Sequence, residues 1–374
     1  MSSAAVQLSN HSLGVSGLRL TPLGKYRGLR ALAWDGNDLY LSRGYELVKA
    51  RFGESGMMWE RQARFCPSWW RDLSVRFRLP CRLARDGFHA LAVLPSGDLI
   101  AALPGAIARL APGENEFSVR HRILRGTRPL HIVSTPSGMV FWGEYFDNGS
   151  RDEVHIYGSM DRGANWEPVY TFPERQVRHV HNLVYDQWDD CIWILTGDDG
   201  EECRILRASC DFKNVDVLLR GNQQARAVAL LVTKNALYFS SDTPLERNHI
   251  YRFDRRGGLT VVGDLSSSSI SGCKVGQSTW FSGMAEPSEV NEENCVTLYG
   301  SANGAQWNPC AQWKKDFWPM RLFQYGNAFL PDGENATDVL AVTTLGVNHD
   351  DLTTTCWRVS VDEWRFRNAD VCLD

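Results

Sequence analysis

The 374-residue sequence has no CxxC pair, no apolar run near the roughly 18 residues of a membrane span, and little surplus of either charge. Each absence excludes something. The ten cysteines (Cys66, Cys81, Cys191, Cys203, Cys210, Cys273, Cys295, Cys310, Cys356 and Cys372) lack metal-type spacing, so they read as reduced, mostly buried thiols. Lys and Arg total 40 against 44 Asp and Glu, a formal charge of −4, which is too balanced for holding polyphosphate nonspecifically. Nucleic acid is not expected as a partner. The opening MSSAAVQLSNHSLGVSG has neither a basic n-region nor an apolar h-region, so the expectation is a cytoplasmic chain without membrane insertion, secretion by another route staying open. A convincing amphipathic helical period is also missing, apart from a weak one around Trp69 to Phe77.

What is present is apolar material arranged in repeats. With 43% hydrophobic residues and 14 Trp, the chain can bury a large core. A unit of apolar strand, tight polar turn and apolar strand begins at Leu29, Phe88, Pro129, His179 and Ala225, with looser copies at Ile270 and Met320. These starts lie roughly 40 to 60 residues apart, the period of a propeller blade of four antiparallel strands. Ala106 to Leu110, Glu153 to Gly158, Arg204 to Ser209, His249 to Phe253 and Val296 to Gly300 fit the later strands of such blades. The reading is all-β: a single β-propeller domain over residues 1–374, with seven blades and six as the runner-up. Residues 1–25 form an N-terminal extension or a closing strand. A β-sandwich also offers short strands and turns, but regular repetition of a hairpin followed by two strands argues against it.

After the strand His155 to Gly158 stands Ser159-Met160-Asp161-Arg162-Gly163-Ala164-Asn165-Trp166. Its Asp can bond backbone N–H groups of its own turn, its Gly can take a positive φ, and its Trp can pack back between blades. The string resembles the Asp-box, or BNR repeat, of the sialidase-like β-propeller superfamily. Two worn copies, Ser301 to Trp307 with Asn303 in place of Asp, and Ser209-Cys210-Asp211, follow equivalent strands. The resemblance implies a fold and a structural turn rather than a reaction, and such propellers include hydrolases, lyases and plain binders, many of them acting on glycans.

The site is argued from position. The first strand of each blade lines the axis, and alignment of the units on their turns yields a candidate ring of Arg30, His89, His131, His181, Arg226 and Arg321 at one mouth. Cations gathered on otherwise apolar strands need an anion to offset their repulsion, and a carboxylate or sulfate would serve. Second-strand exits on the same face bring Glu144, Tyr145 and Asp242, acids and an aromatic ring suited to a sugar. The expected partner is therefore an acidic oligosaccharide or polysaccharide.

Three mechanisms follow. A sialidase-type hydrolase would use Tyr145 and Glu144 with Arg30, Arg226 and Arg321 holding the substrate carboxylate, although no Arg-Ile-Pro stretch precedes the first unit. A uronate lyase would use His181 or His89 as base, Arg226 or Arg30 as clamp and Tyr145 as acid. A noncatalytic propeller would only bind a glycan or a protein. No cofactor is expected. His179-Val180-His181 with Asp198 or Asp199 could present metal ligands, but without a third ligand at a fixed spacing no metal is assigned.

Overall fold

The computed structural model describes residues 17–53, 56–291 and 294–361. Seven antiparallel sheets stand around a common axis, and only 6% of the chain is helical. Blade 1 is built from Arg30–Gly36, Asp38–Arg43, Glu46–Gly53 and Gly56–Arg64, and blade 2 from Ala90–Val93, Leu99–Leu103, Ala106–Leu110 and Ser118–Arg122. Blade 3 uses Val133–Ser134, Val140–Gly143, Val154–Ser159 and Glu167–Phe172. Blade 4 uses His179–Asp186, Cys191–Gly197, Arg204–Ser209 and Val215–Arg220. Blade 5 follows with Ala227–Val232, Ala236–Ser241, Asn248–Asp254 and Leu259–Leu265, and blade 6 with Ser269–Val275, Ser278–Gly283, Cys295–Ser301 and Asn308–Lys314.

Blade 7 is composite. Asn327–Phe329, Val339–Leu345 and Thr353–Val361 are completed by Leu18–Arg27 as outer strand, with Leu18 opposite Val361 and Arg27 opposite Thr353. Beyond Phe329 the chain crosses over, and Asp332–Asn335 adds a parallel strand to the inner edge of blade 1. Each blade of this seam therefore holds a strand from the other end of the chain.

The apolar patterning explains why the blades stack. Second strands such as Leu99–Leu103, Cys191–Gly197 and Val339–Leu345 are buried along their whole length, covered on both faces by neighbouring blades. Among the described residues the core divides into seven clusters, one at each interface between blades.

Ser159 to Trp166 turns between the third and fourth strands of blade 3. Asp161 Oδ1 accepts from Ser159 Oγ at 2.8 Å and from Asn165 N at 2.9 Å, and Oδ2 accepts from Asn165 Nδ2 at 2.7 Å. These bonds hold its carboxyl at about 2, against its partial burial. Trp166 packs edge-on to Trp142 in the core between blades 2 and 3. The worn copies form related turns. Asn303 Oδ1 accepts from the Ala305 and Gln306 amides, and Asp211 Oδ1 accepts from Ser209 Oγ and Lys213 N. In all three the residue after the Asp or Asn is left-handed, with φ +60° at Arg162, +55° at Phe212 and +73° at Gly304.

One expectation of the sequence is borne out and one is corrected. The weak period at Trp69 is a pair of short helices, α1 (Trp69–Ser74) and α2 (Arg78–Ala84), in the connection from blade 1 to blade 2. They are pinned by Arg78 to Asp351 at 2.6 Å and by the buried pair of Arg82 with Asp316. Met320, taken above as the start of the last unit, instead opens a helix, α3 (Met320–Phe323), and the inner strand begins at Asn327.

Replacing Gly163, at φ +79°, by Ala drives a Cβ into Ile100 Cδ1. This change should cost about 2 kcal/mol or more, against about 1 kcal/mol for Asp161→Ala, whose hydrogen bonds are solvent-exposed. Thermal unfolding of both variants checks the order.

Candidate functional site

At one mouth of the propeller, first strands begin, second strands end, and the connections between blades cross. Asp242 N, for example, donates to Arg226 O at 2.9 Å, so a strand start and a second-strand exit lie side by side. Blades 1 to 3 and their connections contribute cations. Arg30 Nη2 donates to the His89 carbonyl at 3.2 Å while its guanidinium lies 4.8 Å from the centre of the Phe329 ring, and its Nε has no partner. Arg128 donates only to the neighbouring Thr127 hydroxyl at 3.0 Å. Among the described residues no carboxylate lies within ion-pair distance of Arg30, Arg85 or Arg128. Burial pushes Arg30 down to about 10 and Arg128 to about 9, and Arg85 and Arg30 depress Arg128 further. Both stay charged at neutral pH; the shifts measure how poorly that charge is compensated. His89 is held well below the ordinary histidine range by burial, then by Arg128 and Arg30. It is therefore neutral, and its Nε2 donates to the Arg85 carbonyl at 2.6 Å. A pocket of about 60 Å³ opens here, lined by Arg30, Arg85 and His89 together with the α2 residues Arg78, Cys81 and Arg82.

Blades 4 to 6 supply the opposite sign. Asp198 is the hub, with Arg178 Nη1 at 3.1 Å, Arg226 Nη2 at 3.3 Å, His181 Nε2 at 3.2 Å and His179 Nε2 at 3.6 Å. Despite burial, these partners hold its carboxyl far below the usual range. Asp242 behaves otherwise. It has only Arg226 Nε at 3.8 Å, and burial, with Glu286 and Asp198 adding, pushes it up to about 7. Tyr145 lies over the histidines, its ring centre 4.3 Å from that of His179, and burial raises its hydroxyl to about 12. Tyr325 spans the halves: burial, Glu286 and Asp242 raise its pKa, while Arg85 opposes them.

The structure thus brings Arg30 and His89 together in one group, and Tyr145, His181, Arg226 and Asp242 in another. Three placements need correction. Glu144 turns away from the mouth: it is 4% exposed, and its oxygens are taken by Arg125 and by the His155 amide at 2.8 Å. His131 is not a free member of the ring, because its Nδ1 pairs with Asp332 Oδ2 at 3.1 Å. Arg321 lies in α3 rather than on an inner strand. Arg226 and His181 face the mouth's network but are not free cations, since both are tied to Asp198.

Sequence alignment on turns misses residues because inner strands carry bulges. Pairing jumps from Val180 to Asn182, leaving His181 without a partner across the hairpin, and from Ala31 to Ala33. Counting back from the turn in blade 4 therefore lands one residue off. It hides Arg178, which precedes the strand and corresponds to Arg226. Arg85 and Arg128 escape because they sit on connections, where no repeat marks them.

No family model matches the chain, and no curated protein matches it. Solved structures match in shape. The WD40 propeller domain of Doa1 aligns over 93% of this chain and 98% of its own, at 9% identity and a TM-score of 0.55. The extracellular domain of BT4673 from B. thetaiotaomicron aligns over 91% of this chain and 42% of its own, at 12% identity and 0.53. A GH74 enzyme of Niastella koreensis aligns over 78% of this chain and 46% of its own, at 14% identity and 0.51. The fold is the seven-bladed β-propeller. Identities this low carry no activity with them.

Asp242 gives the site a pH signature. Its folded pKa lies above the unfolded value, so its contribution is fully present below about pH 4 and is lost as pH rises through about 7. Asp242→Asn should leave stability unchanged at pH 4 and raise it at pH 8, by up to about 4 kcal/mol. Melting curves of both proteins across that range check the sign.

Proposed function

We propose that this chain is a ligand-binding propeller whose mouth takes a carboxylated glycan against Arg30, Arg85 and Arg128. The observation that carries the reading is the set of three guanidiniums with no carboxylate within ion-pair distance among the described residues, Asp332 acting on Arg30 from farther off, on a protein whose net charge is close to neutral. Clustered cations, with Arg30 and Arg128 half-buried and Arg85 exposed, are stabilised by an anion, and a planar carboxylate matches the guanidinium fork. The facing half, with Asp242, Glu286, Tyr145 and Tyr325, offers hydroxyl acceptors and ring faces to the rest of a sugar. The same chemistry is compatible with the glycan class to which the Asp-box resemblance points. Likeness to a GH74 enzyme adds only that this fold also occurs in an enzyme of that class.

Binding is placed before catalysis because His181 and Arg226, the residues best suited to base and clamp, are both engaged by Asp198. One observation favours acid–base chemistry as the second reading. Asp242, pushed up to about 7, holds a proton near neutrality while Asp198 stays ionised, and Arg226 lies between them.

Calorimetric titration of uronate oligosaccharides against their neutral counterparts tests the first reading. Acidic sugars should bind, neutral ones should not, and Arg128→Ala should weaken binding about 10- to 100-fold. Equal affinity for both sugar classes would overturn it. Release of new reducing ends, or of a product absorbing in the near ultraviolet, that disappears in Asp242→Asn would add catalysis to binding.

A further inference from the structure

The two histidines of blade 4 are fixed in one tautomer. His179 Nδ1 lies 3.0 Å from the Phe146 carbonyl oxygen, and His181 Nδ1 lies 3.0 Å from that of Ala227. A carbonyl oxygen only accepts, so each Nδ1 carries the ring's proton and each neutral ring is left with a bare Nε2. Those two nitrogens face each other at 3.1 Å. The carboxylate of Asp198 is a third acceptor: its Oδ1 lies 3.2 Å from His181 Nε2 and its Oδ2 3.6 Å from His179 Nε2. With both rings in this neutral tautomer, the two Nε2 lone pairs and the Asp198 carboxylate converge with no hydrogen to join them. Their side chains are 7%, 2% and 13% exposed, so bulk water does little to relieve the repulsion.

The spacing is that of ligands around an ion. Atoms about 2.0–2.2 Å from one metal ion stand about 2.8–3.6 Å apart in tetrahedral or octahedral arrangement. The two Nε2 atoms at 3.1 Å and His181 Nε2 with Asp198 Oδ1 at 3.2 Å fall there, and ligand atoms of all three residues lie within 4.8 Å of one another. Donation of Nδ1–H to a backbone carbonyl is also the bond that orients a metal-binding imidazole. A second cluster, Asp186, Asp189 and Cys191, has no imidazole to set a bare nitrogen against the carboxylates, and burial raises its Cys191 thiol. Around the histidines, Arg178 and Arg226 oppose a cation. Arg178 is itself offset by Asp147 at 2.5 Å, and Arg226 is shared with Asp242 at 3.8 Å.

We infer that His179 Nε2, His181 Nε2 and the Asp198 carboxylate form a binding site for a single divalent transition-metal ion of the zinc type. Two imidazoles and a carboxylate suit such an ion better than magnesium or calcium, and three protein ligands leave at least one position for water or a ligand atom. The inference is independent of the glycan reading, which rests on the cations of the opposite wall.

The test uses the whole chain, stripped with a chelator and titrated with zinc chloride. Calorimetry and elemental analysis after desalting should give one zinc per chain. The melting temperature should rise, and His179→Ala or His181→Ala should weaken binding at least about 100-fold. Nitrogen-15 spectra of the wild-type imidazoles provide a readout that does not depend on variants folding. Zinc should shift both Nε2 resonances while both Nδ1 protons persist. Absence of zinc uptake, uptake unchanged in the histidine variants, or spectra showing one imidazolium sharing its proton and indifferent to zinc would each overturn the inference.

Discussion

Closure of the ring is the constraint on which the rest depends. The ladder between Leu18–Arg27 and Thr353–Val361 joins the two ends of the described chain and leaves blade 7 with a paired outer strand. Once closed, the ring has no freedom to splay, and side chains hundreds of residues apart meet at fixed separation. Lys25 with Asp350 at 2.7 Å and Arg78 with Asp351 at 2.6 Å are local examples. The charged mouth is a larger one: its cations would not stay together on a flexible scaffold, because nothing in their own contacts holds them there.

The mouth is divided by sign, and the division follows chain order. Blades 1 to 3 bring guanidiniums that have no ion-pair partner among the described residues, with only Asp332 acting on Arg30 from farther off, whereas blades 4 to 6 bring carboxylates, some paired closely and one not. Asp198 and Asp242 show how finely this is set. Both are carboxylates beside Arg226, yet one is held ionised by four partners and the other is pushed toward its neutral form. Asp198 has Arg178 as well as Arg226 in reach, whereas Asp242, the more deeply buried of the two, has Arg226 alone.

Much of the scaffold is legible in the sequence, for a simple reason. Strands buried on both faces read as apolar runs, and tight turns read as polar, Gly-containing gaps, so Leu99–Leu103 and Cys191–Gly197 announce themselves. The Asp161 turn is legible because its geometry is local, every partner lying within a few residues. The site is less so. A bulge at His181 adds a residue without altering the apolar pattern, and this displaces the alignment by one. Glu144 has the residue type and place of a catalytic acid, but Arg125, on a connection that no periodicity flags, draws it away. Long-range ion pairs of this kind have no signature in one sequence.

The seam between blades 1 and 7 is reciprocal: Leu18–Arg27 lies in blade 7, while Asp332–Asn335 lies in blade 1. Neither blade can therefore detach without removing a strand from the other. Other joints add single bridges to their packing, such as Arg64 with Glu116 and Lys315 with Val347, whereas this joint exchanges whole strands in both directions. Local opening fluctuations are thus displaced away from the point where the chain begins and ends, and the first and last blades exchange with solvent as one cooperative unit rather than as two frayed edges.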